Sequence, residues 1–152
     1  MADITHRVGI KSPLSQVYAA ISTVEGIAGW WTQQTSGSSK IGGTFDVRFH
    51  SPDGKEIGHM EMEVLTVDPD KTVRWRVRYG PDEWVGTDVV FNLSQDGEYT
   101  IVLFGHKNWR ESNEFMAHCN MKWAIFLLSL KELVETDKGR PSPNDIKIDD
   151  WN

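Results

Sequence analysis

The sequence is poor in cysteine, in long apolar runs and in positive charge. Its one cysteine, Cys119, cannot form an internal disulfide, and the N-terminus lacks the basic-then-apolar pattern of a signal peptide. A reducing, cytoplasmic location is expected. The most apolar run, Ala124 to Leu130, is interrupted by Ser129 and bracketed by Lys122 and Lys131, far short of the roughly 20 apolar residues that span a bilayer. The 16 Lys and Arg face 22 Asp and Glu, a net charge of -6 that repels phosphate backbones and anionic lipid surfaces. Neither nucleic acid nor a membrane is expected as a partner. A length of 152 residues suits one well-buried core, so residues 1–143 are read as a single domain and 144–152 as a partly ordered acidic tail.

Aromatic residues and methionine, by contrast, are plentiful: seven Trp, six Phe and five Met exceed what close packing of so small a core requires. Their arrangement follows two periods. Ile4, His6, Val8 and Ile10 alternate with polar neighbours as a strand does, and Ser12-Pro13 is the start signal of a short helix carrying Leu14, Val17, Tyr18 and Ile21 on one face. A second short helix is expected over Val24 to Trp31, then a polar loop from Gln33 to Gly43. A meander of five strands follows, with Phe45 to His50, a run through Met60, Met62 and Val64, then Val73 to Tyr79, Trp84 to Leu93, and Tyr99 to His106, separated by Asp, Gly and Pro turns. Pairing Val67 with Thr72 sets Glu63 opposite Arg76 and Glu61 opposite Arg78, a charge-matched outer face. The last long segment, Ser112 to Asp137, reads as one helix with Phe115, Cys119, Trp123, Phe126, Leu127, Leu130 and Leu133 along one stripe. The fold class is α+β: a curved antiparallel sheet of about six strands wrapped around a long C-terminal helix, with two short helices between the first and second strands.

Motifs for chemistry are missing. The five histidines lie at positions 6, 50, 59, 106 and 118 without metal-ligand spacing, and there is no nucleophile elbow, phosphate-cradling loop or dinucleotide fingerprint. No metal and no cofactor are expected. His118 and Cys119 are neighbours on a helix and point about 100° apart, so they do not make a base and a nucleophile.

A concave apolar wall is the remaining candidate site. Met60, Met62, Trp75, Val77, Tyr79, Phe91 and Phe104 fall on the inner sheet face, with Phe45 and Phe49 on the preceding strand. Phe115, Cys119 and Trp123 face them from the N-terminal half of the long helix, where a cavity is expected. Trp30 and Trp31 are adjacent indoles, read either as one inward and one closing the cavity mouth, or as two structural anchors. His106, Tyr79 and Asn120 are the polar groups that would orient a ligand.

The order of elements, together with Ser12 to Ile21 (SPLSQVYAAI), Gly29-Trp30-Trp31-Thr32, Gly42-Gly43-Thr44-Phe45, Val64 to Pro69 (VLTVDP) and Met121 to Leu133 (MKWAIFLLSLKEL), resembles the helix-grip fold of the START-like SRPBCC superfamily that includes the birch-pollen allergen. Within it the chain looks most like homologues of the heat-shock-protein ATPase activator. Nearly the whole chain takes part in the likeness. Lys122 departs from it, since family members commonly carry Gly before the helix Trp, and its bulk bears on the cavity's size. The resemblance implies a hydrophobic ligand between helix and sheet. It implies three possible activities: a non-catalytic module binding a small apolar or amphipathic molecule, a polyketide cyclase or dehydratase using His106 or Tyr79 as acid or base, or an interaction domain acting on a chaperone through a patch near Trp30 and Trp31. A monomer or a homodimer is compatible with all three.

Overall fold

The computed structural model describes residues 1–152. In chain order it contains β1 (Ala2–Ile10), α1 (Leu14–Ser22), α2 (Val24–Trp30), β2 (Gln34–Gly37), β3 (Thr44–His50), β4 (Glu56–Asp68), β5 (Thr72–Tyr79), β6 (Asp88–Asp96), β7 (Tyr99–Trp109) and α3 (Glu114–Thr136). The seven strands form one antiparallel sheet in the order β1-β7-β6-β5-β4-β3-β2, and α3 packs on its inner face. This is the helix-grip architecture, with both short helices between β1 and β2.

Local chemistry explains most boundaries. Thr23 caps α2 by accepting a hydrogen bond from the Gly26 amide, and Asn113 caps α3 by accepting from the Met116 amide. The long helix ends at Asp137, whose left-handed backbone (φ 66°) stops the helical ladder. At α1 the expected cap differs: Pro13 occupies the N-cap with no side-chain bond, and the Ser12 carbonyl instead accepts from the Thr100 hydroxyl. The supposed loop after Thr32 contains β2, a four-residue strand paired to β3 from Gln34↔Arg48 to Gly37↔Phe45. Its sequence, Gln-Thr-Ser-Gly, has no apolar alternation because it is an edge strand with little to bury.

The β4–β5 hairpin combines the expected register with two bulges. Glu63 does pair with Arg76, but irregularities at Glu61/Met62 and Val64/Thr66 set Val67 opposite Val73 and Glu61 opposite Tyr79. The ion pairs follow geometry rather than register. Arg78 reaches Glu63, whereas Arg74 and Arg76 both bind Asp88 of β6, at 2.7 and 2.8 Å. Burial pushes the Asp88 carboxyl up, yet the bonds and charges of Arg76 and Arg74 outweigh it and hold the group below the usual carboxylate range.

The C-terminal half of α3 is held close to its neighbours. Lys131 Nζ donates to the Gly9 carbonyl, Glu135 accepts from the Lys11 amide, and Gly29 of α2 lies so near Leu133 that a Cβ there would come within 2.9 Å of its side chain. The N-terminal half is tied to the sheet at two points, His6 of β1 to the Asn120 carbonyl at 3.3 Å and Trp123 Nε1 to His106 Nδ1 of β7 at 3.1 Å. No helix is long and apolar enough to cross a membrane.

Candidate functional site: a cavity under the long helix

A cavity of about 590 Å³ opens beneath the N-terminal half of α3. Phe115, His118, Cys119, Lys122, Trp123 and Phe126 recur at three- and four-residue steps, so one helix face supplies the whole roof. The floor and sides come from Trp31 after α2, Phe49 of β3, Ile57, Gly58 and Met60 of β4, and Pro81, Glu83 and Trp84 of the turn after β5. Trp151 and Asn152 close one side.

The sequence-derived candidates divide into three groups. Trp31, Phe49, Met60, Phe115, Cys119 and Trp123 are brought together at the cavity. Trp30, Phe45, Met62, Trp75, Val77, Phe91, Phe104 and His106 are buried beside it as packed core and do not line it. Edge-to-face contacts fill that region, with ring centroids 5.0 Å apart for Phe45–Trp75, 5.1 Å for Trp75–Phe91 and 5.3 Å for Phe91–Phe104. Tyr79 is placed elsewhere altogether. It is 56% exposed, pairs with outer-face Glu61 beyond a bulge at Arg78 of β5 and packs its ring on His59 at 4.9 Å.

Both adjacent indoles turn inward, Trp30 into the packed core and Trp31 to the cavity wall. The helix ends at Trp30, so Trp31 sits at its C-cap and the two rings stack at 6.0 Å and 13°. Trp30 donates to the Ala20 carbonyl; Trp31 stacks on Trp75 at 5.8 Å and lies 5.1 Å from Trp123. Neither offers an exposed patch.

His106 has a structural place. Its Nδ1 accepts from Trp123 Nε1 at 3.1 Å, its Nε2 is 2.7 Å from the Thr87 hydroxyl, and that hydroxyl donates to the Trp84 carbonyl at 2.5 Å. Since the hydroxyl's one proton is committed, Nε2 carries the imidazole proton and donates it to Thr87. Burial holds this imidazole neutral, its pKa lowered to about 3 despite the opposing charge of Asp88. The chain of bonds ties a wall residue of the turn, Trp84, to a roof residue of α3, Trp123. Trp84, read from the sequence as the start of a strand, belongs to a turn that ends at Gly86 (φ 86°), and that turn swings its indole under α3.

Burial pushes the Cys119 thiol up to about 12, with the neighbouring Trp84 indole opposing, so the group is held as the thiol. Glu83, His118, Lys122, Trp151 and Asn152 were not among the expected lining residues. Helical spacing from Cys119 and Trp123 does reach His118 and Lys122, whereas no sequence signal brings Trp151 and Asn152 to the site. Lys122 does not block the space. It is itself a lining residue, and its Nζ is held by Asp145 at 2.5 Å.

A curved sheet gripping one long helix, with an aromatic-lined cavity between them, defines a helix-grip domain of the START-like class. The chain belongs to the family of activator of Hsp90 ATPase homolog 1-like proteins, whose model matches residues 11–135. It is similar to the Aha1 dimer from Colwellia psychrerythraea, solved in solution, with 40% identity, 91% of this chain and 100% of that chain covered, and a TM-score of 0.77. More distantly, DynU16 from the dynemicin biosynthetic locus shares the fold at 20% identity (90% of this chain, 48% of that one, TM-score 0.73). So does CalU16 from Micromonospora echinospora at 19% identity (93% and 77%, TM-score 0.71). A search of the curated proteins finds no match.

Proposed function

We propose that the protein is a binding module that holds a small apolar or amphipathic molecule in the cavity beneath α3. The observation that carries this reading is the cavity itself: about 590 Å³, with 10 of its 16 lining residues hydrophobic. Small-molecule sites fall at about 300–1,000 Å³ with apolar walls and a few polar groups. The cyclase or dehydratase alternative needs an acid and a base facing the same cavity. His106 and Tyr79 do not supply them, one being hydrogen-bonded at both ring nitrogens inside the core and the other exposed on the outer face. The chaperone alternative needs an apolar patch at Trp30 and Trp31, which are 0% and 1% exposed. The dimer described for the Colwellia relative supports a homodimer here, checked by sedimentation at twice the chain mass.

A ligand that binds only the folded state at a hundred times its Kd adds about 2.7 kcal/mol of stability, a rise of roughly 5–10 °C in Tm for a chain of this size. Screening aromatic and fatty compounds by thermal shift and native mass spectrometry is expected to find such a ligand. Cys119→Phe, which fills the cavity from its roof, is expected to abolish the shift while circular dichroism stays unchanged. Binding undiminished in that variant would place the ligand elsewhere.

A further inference from the structure

Lys122 is a cation in the middle of an aromatic wall, only 8% exposed, and its ammonium is satisfied from one direction. It donates to the Asp145 carboxylate at 2.5 Å, the Ile146 carbonyl at 2.8 Å and the Asn152 carbonyl at 3.3 Å. All three acceptors belong to residues 144–152. The backbone hydrogen bonds of that stretch stay local, from Asn144 to Pro141, Ile148 to Asn152 and Asn152 to Asp149. Its one other side-chain tie to the body is Asp149, which accepts from His118 Nδ1 at 2.7 Å, while the half-exposed Trp151 rests on Phe115 and His118. Immediately upstream the chain is firmly anchored: Ser142 exchanges backbone bonds with Trp31 and Gln33. Residues 144–152 therefore form a strap, hinged after Ser142 and fastened to α3 by two side chains one helical turn apart.

The strap and the cavity compete for the same cation. A neutral molecule that displaced the strap would cost Lys122 its anion and its carbonyl acceptors, whereas a molecule carrying its own carboxylate restores a charge-assisted pair. A second donor waits in the same wall. The Trp84 indole N–H is buried with no hydrogen-bond partner, the Cys119 sulfur beside it being a weak acceptor at best. Trp84 and Trp123 are stacked at 5.9 Å and 17°, presenting near-parallel rings to whatever enters. We propose that the cavity takes a flat aromatic carboxylate, whose anionic group replaces Asp145 on Lys122 as the strap lifts. This rests on the cavity being a ligand site, and adds the chemical class of the ligand and the means of entry.

The test compares 2-naphthoate with its uncharged isostere 2-naphthamide by calorimetric titration of the full chain. In the unaltered protein naphthoate is expected to bind at least about tenfold more tightly than naphthamide. Lys122→Met should erase that preference while naphthamide binding persists. Asp145→Asn, which removes the competing anion and keeps the fold's polar contacts, should tighten naphthoate several-fold more than naphthamide. Equal affinities in the unaltered protein, a preference untouched by Lys122→Met, or naphthoate affinity unchanged by Asp145→Asn would each overturn the proposal and leave a neutral apolar site standing. Binding of neither compound would overturn both readings. Should Lys122→Met fail to fold, the Asp145→Asn comparison decides alone.

Discussion

His106 shows how one buried side chain couples packing to pH. With its pKa lowered to about 3 from an ordinary 6.5, the folded protein refuses a proton that the unfolded chain accepts anywhere below 6.5. The contribution is therefore whole above about pH 6.5 and declines as the pH falls toward 3, by about 1.4 kcal/mol per unit once the unfolded chain is protonated. Urea unfolding at pH 7.5, 6, 5 and 4 checks this against His106→Gln, whose amide can still donate to Thr87. The unaltered protein should lose stability more steeply, by about 1.4 kcal/mol per unit between pH 6 and 4; parallel curves would show that the imidazole takes up a proton without penalty. The sequence marks His106 as a polar group to orient a ligand, whereas the structure buries it in the core beside the cavity. Its bonds to Trp123 and Thr87 come from tertiary placement, which residue type alone does not reveal. The same holds for Lys122, whose partner Asp145 lies 23 residues further on in a stretch with no periodic signal.

Elements were legible where burial imposes a period. The stripe of α3 and the alternation of β3, β4 and β5 follow from residue order, because a one-residue slip would expose an entire apolar face. Bulges and edge strands leave no such trace. The irregularity at Glu61/Met62 carries Tyr79 to the outer face, and β2 buries too little to show alternation. The junction of α1 and α2 is tight: a Cβ on Gly26 would lie 2.7 Å from the Ala19 carbonyl oxygen, the Ala20 Cα and the Ala20 carbonyl oxygen, all backbone atoms that cannot rotate away. Gly26→Ala is thus expected to destabilise the protein by about 1–3 kcal/mol even though Ala is the better helix former. Chemical denaturation measures it; a stabilised variant would mean that the two helices separate freely.

For the molecule as a whole, two attachments of α3 divide the labour. Its C-terminal half is fixed against β1 and α2 by Lys131, Glu135 and the Gly29–Leu133 approach, while its N-terminal half, tied to the sheet through Trp123 and Asn120, roofs the cavity. The cavity's place was legible in the sequence because Phe115, Cys119 and Trp123 share a face while the following residues are dense enough simply to pack. Its walls were less so, since the turn carrying Trp84 and the strap carrying Trp151 reach it through loops. The indole N–H groups now serve as position-specific reporters. Trp84 and Trp123 line the cavity, whereas Trp30, bonded to the Ala20 carbonyl, lies outside it. The most direct measurement is the indole region of a ¹H–¹⁵N NMR spectrum during titration with 2-naphthamide. Binding beneath α3 requires saturable shifts of the Trp84 and Trp123 signals with Trp30 unmoved; an unchanged spectrum, or movement confined to Trp151, would contradict it.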